Sequence, residues 1–330
     1  MKEEEDWNTI LKKSKDATVF HTPEWVKLLV EQTGADSRIL IVYNYNEPVG
    51  IFPYYIKKTA KFKQYARTTM FETPYGGPIA YTDSRDEIIS RLIKKTHKMF
   101  KFKILGSEII LPPNYSINPF KKNKYSIIPK ETMILDLNKT EDELWKTIGI
   151  KNRNMIRKAE KNGVRIDEID NSSINEFHKM IVSTFCRLKM GPPPGLDFYK
   201  TIYKLLYPKK MIKIISAFYG NLIIAGAIFL MFNDTIIYWE AGSYKEYWKF
   251  APNNLIQWYI IKKGNKLGYK YYDMLHYYDK KGNINLSLKK FKEGFGVKKV
   301  EYYVVRKNFP LNYISKIMNI PRYCKKIWGR

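Results

Sequence analysis

The chain has 330 residues, about twice a common domain length, and its 45% hydrophobic and 15% aromatic content suffices for packed cores, which excludes intrinsic disorder. Fifty-eight Lys and Arg against 32 Asp and Glu give a formal net charge of +26, so a polyanionic partner is expected: RNA, a nucleotide phosphate or an anionic lipid surface. The longest apolar run, 222–232, is too short to cross a bilayer, the opening Met1-Lys2-Glu3-Glu4-Glu5-Asp6 lacks a signal-peptide pattern, and Cys186 and Cys324 stand alone, so a cytoplasmic protein with no metal site and no disulfide is expected.

The first helix is expected after Thr22, an N-cap followed by Pro23, with apolar Trp25, Leu28 and Leu29 and a stop at Gly34. Runs 38–45 and 49–57 read as a β-hairpin around Asn46-Glu47-Pro48. Thr73-Pro74-Tyr75-Gly76-Gly77-Pro78 breaks the chain, 84–103 reads as a helix, and 104–111 as a strand. A basic, turn-rich stretch at 119–124 leads to a linker near Pro129-Lys130-Glu131. Met133 to Leu137 then reads as a strand, and Thr140-Glu141-Asp142-Glu143 as a capping box that opens a helix. A second helical stretch, 152–161, should stop at Gly163. Three apolar runs, 212–219, 222–232 and 235–240, are separated by Gly220-Asn221 and Asn233-Asp234 and form a meander. A loop at 241–252, a helix at 253–267 and a strand at 269–275 follow.

The order of elements thus occurs twice. Pro48-Val49-Gly50-Ile51-Phe52 is similar to Ile224-Ala225-Gly226-Ala227-Ile228, and Lys94-Lys95 to Lys262-Lys263, at an offset of about 170 residues. A tandem duplication is expected, with domains at 1–130 and 131–300. The basic tail 301–330, whose Leu311, Ile314 and Met318 fall at helical spacing, either packs on the first domain or touches anionic lipid.

His21, His97, His178 and His276 are the only histidines, and each reads as structural. No Gly-x-Ser-x-Gly elbow, H-E-x-x-H, Walker-type loop or Gly-x-Gly-x-x-Gly is present, which argues against triad hydrolases, metalloproteases, kinases and dehydrogenases. Three constellations remain. In Lys151-Asn152-Arg153-Asn154-Met155-Ile156-Arg157-Lys158-Ala159-Glu160-Lys161 the arginines recur at four-residue spacing, so that Arg153 and Arg157 either clamp phosphates or line a solvated helix face. The segment from Cys186-Arg187 to Pro192-Pro193-Pro194-Gly195 is a stiffened loop that carries cations. The third runs from Tyr271-Tyr272-Asp273 to Phe291-Lys292-Glu293-Gly294-Phe295-Gly296, an acid near a strand end and a lysine beside an aromatic ahead of two glycines.

These segments, together with Phe20-His21-Thr22-Pro23-Glu24-Trp25, resemble the Fem family of aminoacyl transferases and its FemAB-like relatives, which are tandem GNAT-fold proteins. The resemblance implies an α/β fold of two GNAT-like domains with mixed sheets and flanking helices. It implies transfer of an aminoacyl group from aminoacyl-tRNA, with no cofactor, to an amine on an envelope precursor carrying a nucleotide or lipid diphosphate. It places a peptidyl-transfer lysine at Lys292 with Phe291 beside it. Such a lysine would neutralise the oxyanion of the tetrahedral intermediate, and Lys292→Met would lower rate with little effect on stability. Asp273 is the one candidate base, or else a strand-end cap. Arg153, Arg157, Lys158 and Arg187 are the expected substrate-binding residues, with peripheral contact at the inner face of the membrane as a further expectation.

Acetyl-CoA is the less favoured donor. GNAT acetyltransferases carry a Gly-x-Gly/Ala loop between the meander and the next helix, whose amides cradle the pyrophosphate. Here residues 242–254 lack it, and Pro252 removes an amide. The rival readings are a CoA-dependent N-acyltransferase with an altered pyrophosphate site and a non-catalytic RNA-binding protein on the same fold.

Overall fold

The computed structural model describes residues 2–60, 63–69, 73–100, 104–278 and 283–309. The chain forms two compact units. Unit 1 comprises the described parts of 1–130, 278–285 and 301–330, and unit 2 comprises 131–277 and 286–300.

Unit 1 opens with a helix that the sequence reading passed over, α1 (Lys2–Lys13). Its charged composition hid a narrow stripe: Trp7, Ile10 and Leu11 recur at three- to four-residue spacing and are buried, and the Trp7 indole donates to the His21 carbonyl at 2.7 Å. Helix α2 (Pro23–Thr33) has the expected cap, since the Thr22 hydroxyl accepts from the Trp25 amide at 3.2 Å and Gly34 ends it at φ +61°. Strands β1 (Asp36–Asn44), β2 (Glu47–Ala60), β3 (Lys63–Arg67) and β4 (Ile79–Ala80) precede α3 (Arg85–Phe100), β5 (Gly106–Ile110) and α4 (Asn118–Lys122). Strand β6 (Ser126–Asp136) then carries the chain into unit 2, and β12 (Lys298–Asn308) returns it. The sheet of unit 1 runs β1-β2-β3-β5-β12, with β4 on β2. Strand β3 pairs antiparallel with β2 and parallel with β5, the connection between β3 and β5 passing through α3. Position 300, expected as a domain end, falls inside β12. The 311–318 segment and Cys324 lie outside the described residues.

Unit 2 contains α5 (Glu141–Thr147), α6 (Ile150–Lys161), β7 (Arg165–Glu168), α7 (Ile174–Arg187), α8 (Leu196–Leu206), β8 (Ile212–Tyr219), β9 (Leu222–Phe232), β10 (Thr235–Ser243), α9 (Pro252–Lys266), β11 (Tyr271–Asp273) and α10 (Leu286–Glu293). Its sheet runs β6-β11-β10-β9-β8-β7. The capping box forms, with the Thr140 hydroxyl accepting from the Glu143 amide and the Glu143 carboxylate from the Thr140 amide. The arrangement of unit 1 recurs: the meander's last strand, β10, pairs parallel with β11, and the connection is a helix, α9. The chain is therefore an α/β protein of two units, each a mixed sheet with flanking helices, the organisation that the resemblance implies.

Strand β9 is buried along nearly its whole length, because helices cover both faces of this sheet. Gly226 makes room on one side, where a β-carbon would stand 2.8 Å from the Phe177 ring of α7. Gly264 of α9 does so elsewhere, where a β-carbon would meet Ile236 of β10. The expected loop from 241 is in part strand, since β10 runs on to Ser243 and is followed by a 3-10 segment, Lys245–Phe250. No helix among the described residues is long and apolar enough to cross a membrane.

Candidate active site

The site lies in unit 2, where β10 and β11 part. They pair only over Thr235–Ile237 and Tyr271–Asp273, while β10 keeps its pairing with β9 as far as Ser243. A bulge between Tyr238 and Glu240 reverses the alternation of β10. Ahead of it Ile236 faces α9, and beyond it Glu240 accepts from the Tyr199 hydroxyl of α8 at 2.9 Å while Gly242 lies against α7.

Past Asp273 the chain leaves the regular strand in a side-chain-closed Asx turn, in which Leu275 takes φ +59°, an uncommon conformation for a residue with a side chain. Asp273, 2% exposed, holds that turn: one carboxylate oxygen accepts from the Leu275 amide at 2.8 Å and from the Thr132 hydroxyl at 2.6 Å. Of the two roles open to Asp273 in the sequence, the geometry is that of a strand-end cap.

Lys292 reaches the same turn from α10. Far from being one surface lysine among many, it is 4% exposed. Its ammonium donates to the carbonyls of Met274, His276 (2.7 Å) and Leu275 (3.4 Å), and it lies 5.9 Å from the centre of the half-buried Tyr238 ring. Burial pushes Lys292 down from the ordinary lysine value to about 7, and the Asp273 carboxylate opposes that shift. The ammonium is thus a clamp on this segment as well as a charge, so its removal bears on stability as well as on rate.

The Phe-Lys-x-Gly-Phe-Gly box is explained by close approach. A β-carbon on Gly294 would stand 2.5 Å from the Asn152 amide nitrogen, and Gly296, at φ +76°, would collide with the Thr147 carbonyl at 2.8 Å. The Gly149 amide donates to the Gly294 carbonyl at 2.9 Å, and Phe295 is fully buried against the half-buried Phe291 at 5.3 Å between ring centres. Asn152 ties these elements together, donating to the Phe291 carbonyl at 3.3 Å and accepting from Asn254 at 3.2 Å. It stands inside the basic segment already singled out, yet the arginines drew attention because charge is legible in a sequence and a buried amide hub is not. Gln257, which accepts from the buried Tyr272 hydroxyl, and Thr132 were missed for the same reason.

The start of α9 is tied to neighbouring elements by its side chains. Pro252 is its first residue and is buried, Ala251 before it takes φ +53°, Asn253 donates to the Ser243 hydroxyl at 3.3 Å, and Asn254 is bound to Asn152. Arg187 joins this end of β10: its guanidinium donates to the Ser243 carbonyl at 2.7 Å and lies 4.7 Å over the Trp248 ring.

Of the sequence-derived candidates, Lys292, Asp273 and Phe291 therefore belong to one neighbourhood at the end of β11, and Arg187 to the end of β10. Arg153 is half-buried on α6, whereas Arg157 and Lys158 are exposed, with the Arg157 guanidinium over Trp145 at 5.3 Å. The inward stripe of α6 is Asn152, Ile156 and Ala159. His97 is bonded to the Tyr125 hydroxyl and His178 to the Pro194 carbonyl. Among the described residues no group of three or more His, Cys, Asp or Glu side chains is placed to hold a metal ion.

Residues 151–283 match the family model of the acetyltransferase (GNAT) domain. Among proteins of curated function none matches the sequence significantly. The structure is similar to the crystal structure of FemX, with a TM-score of 0.75 at 15% identity over 91% of this chain and 95% of that one. It is also similar to L-PGS from Bacillus licheniformis, with a TM-score of 0.57 at 13% identity over 86% and 90% of the two chains. A tandem GNAT protein from the clavulanic acid biosynthesis pathway gives 0.50 at 10% identity over 84% of each. The chain is a protein of tandem GNAT fold, similar to FemX in structure, whose residues 151–283 match the acetyltransferase (GNAT) domain model.

Proposed function

We propose that this protein is an acyltransferase that moves an aminoacyl group from aminoacyl-tRNA to an amine on a cell-envelope or polysaccharide precursor. The observation that carries the reading is the opening between β10 and β11, with a buried lysine at one lip and, at the other, a helix start whose first residue, Pro252, has no amide to offer. A GNAT acetyltransferase needs free amides at that helix start for the coenzyme pyrophosphate. A tRNA ester needs none there, and the net charge of +26 favours a polyanionic donor.

In this reading the acceptor amine attacks the ester carbonyl, a C–N bond forms, the C–O bond breaks, and the tRNA hydroxyl leaves with a proton. Lys292 supplies positive charge to the developing oxyanion. Its 3.4 Å contact with the Leu275 carbonyl is the weakest of the three and is the one a substrate oxygen would displace. Asp273 and Asn152 are positioning residues: the first holds the turn whose carbonyls seat Lys292, the second holds α10 against α6 and α9. Arg153, Arg157, Lys158 and Arg187 are assigned to phosphate binding on the acceptor or donor.

The test is an assay with a pool of tRNAs charged with labelled amino acids and an extract of small envelope precursors. Label moving to an alkali-stable product supports the reading. Transfer from acetyl-CoA with none from tRNA favours the coenzyme-dependent alternative, which the GNAT domain match keeps open. RNA binding without any product favours the non-catalytic one.

A further inference from the structure

One face of unit 2 beside the candidate site is apolar, cationic and open. The 3-10 segment after β10 and the β8–β9 turn are joined there by ring contacts, and Arg187, the last residue of α7, reaches the same segment. Tyr219 stacks on Phe250 at 4.7 Å and 17°, lies 6.3 Å from Tyr247, and Arg187 covers Trp248. Tyr219 is 43% exposed, Leu222 47%, Trp248 47% and Leu188 54%. The charged residues of 187–190, 219–222 and 245–250 are Arg187, Lys189, Lys245 and Lys249, against the single acid Glu246.

We propose that this face docks on an anionic lipid bilayer. Tyr and Trp with flanking lysines is the composition that settles at the level of lipid headgroups, and exposed leucines gain from entering the acyl boundary. A single-stranded nucleic acid would ask for open ring faces on which bases stack. Here Tyr219 and Phe250 cover each other and Arg187 lies on Trp248, while the leucines offer a base nothing. The Arg187 bond to the Ser243 carbonyl sets this face next to the end of β10, so a docked protein would hold its candidate site close to headgroups. The inference is independent of the acyl-transfer reading, because docking requires no turnover.

Flotation of the full chain with vesicles of phosphatidylcholine, with and without phosphatidylglycerol, tests it. The protein should float with the anionic vesicles only, and less as salt rises. Lys245→Gln with Lys249→Gln should weaken partitioning about 25-fold, on about fivefold per cation. Leu188→Ser with Leu222→Ser should weaken it about a hundredfold. Brominated lipid should quench fluorescence in the unmodified protein and not in Trp248→Phe, a change that also removes the indole's 2.8 Å bond to the Ser243 hydroxyl, so the melting temperature of the variant is measured beside it. The proposal is overturned if the wild-type chain does not float with anionic vesicles, if both double variants float as it does, if quenching persists in Trp248→Phe, or if the variants lose oligonucleotide binding while flotation is kept.

Discussion

Lys292→Met keeps the aliphatic stem and removes the ammonium that the carbonyls of Met274, Leu275 and His276 share. Two opposing quantities follow. Buried carbonyls left without a donor cost about 1–3 kcal/mol each. Against that, wild-type pays to bury a cation: the fall from 10.5 to about 7 corresponds to about 4–5 kcal/mol at the limit. The folded value lies below the unfolded one, so between pH 7 and 10.5 the unfolded chain binds more protons at this site, and the wild-type contribution becomes more favourable as pH rises through that window. The Met variant lacks the group. Its deficit relative to wild-type should therefore be smallest at neutral pH and below, and should widen by several kcal/mol towards pH 10. Urea unfolding of both proteins at about pH 6, 8 and 10 reads the difference directly. A deficit that is the same at all three refutes a lysine whose proton affinity is lowered by burial. In the transfer assay with both substrates saturating, kcat should fall about 10²–10³-fold, and an unchanged kcat refutes its role in the reaction.

Asn152→Ala breaks the link from α6 to Phe291 and Asn254 and should cost about 1–3 kcal/mol in denaturant unfolding, with a drop in kcat larger than any rise in KM. Gly294→Ala forces a β-carbon to 2.5 Å from the Asn152 amide and should cost a similar 1–3 kcal/mol by the same measurement. Arg157→Ala, on an exposed face, should raise the acceptor KM about tenfold at unchanged melting temperature; unchanged acceptor binding in both Arg157→Ala and Arg153→Ala would return α6 to a solvated helix face. In unit 1, burial pushes His21 and His97 down to about 4, so each must take up a proton more readily when unfolded, and stability should fall as pH drops from about 6.5 to about 4. His97→Phe should flatten part of that acid limb in urea unfolding. Affinity for tRNA should fall by orders of magnitude over a modest rise in salt, and salt-independent binding would contradict a phosphate-led contact.

The meander of unit 2 was legible because its turns, Gly220-Asn221 and Asn233-Asp234, are strong local signals and its strands are continuous apolar runs. Helix α2 was legible through its cap and its terminal glycine. Helices α1 and α10 were not, since α1 buries a narrow stripe within a charged sequence, and the one residue that α10 buries is Lys292. The Lys292 box could be located as a string of residues, but its meaning came from distant partners: carbonyls 16 to 18 residues away and an asparagine 139 away. No local rule announces that Leu275 will turn to positive φ and aim its carbonyl at a lysine. The bulge that reverses β10 is equally silent, because it lies in the register against β9 and carries no local sequence mark.

The most direct test of the acyl-transfer reading is a single-turnover reaction of the full chain with tRNA carrying a labelled amino acid, in the presence of total small precursors from cells, analysed for label in an amide product. The account expects label to leave the tRNA ester and appear on an amine of a low-molecular-weight acceptor, and to do so at least a hundredfold more slowly with Lys292→Met. Label that stays on tRNA, while acetyl-CoA acylates the same precursors, would contradict it.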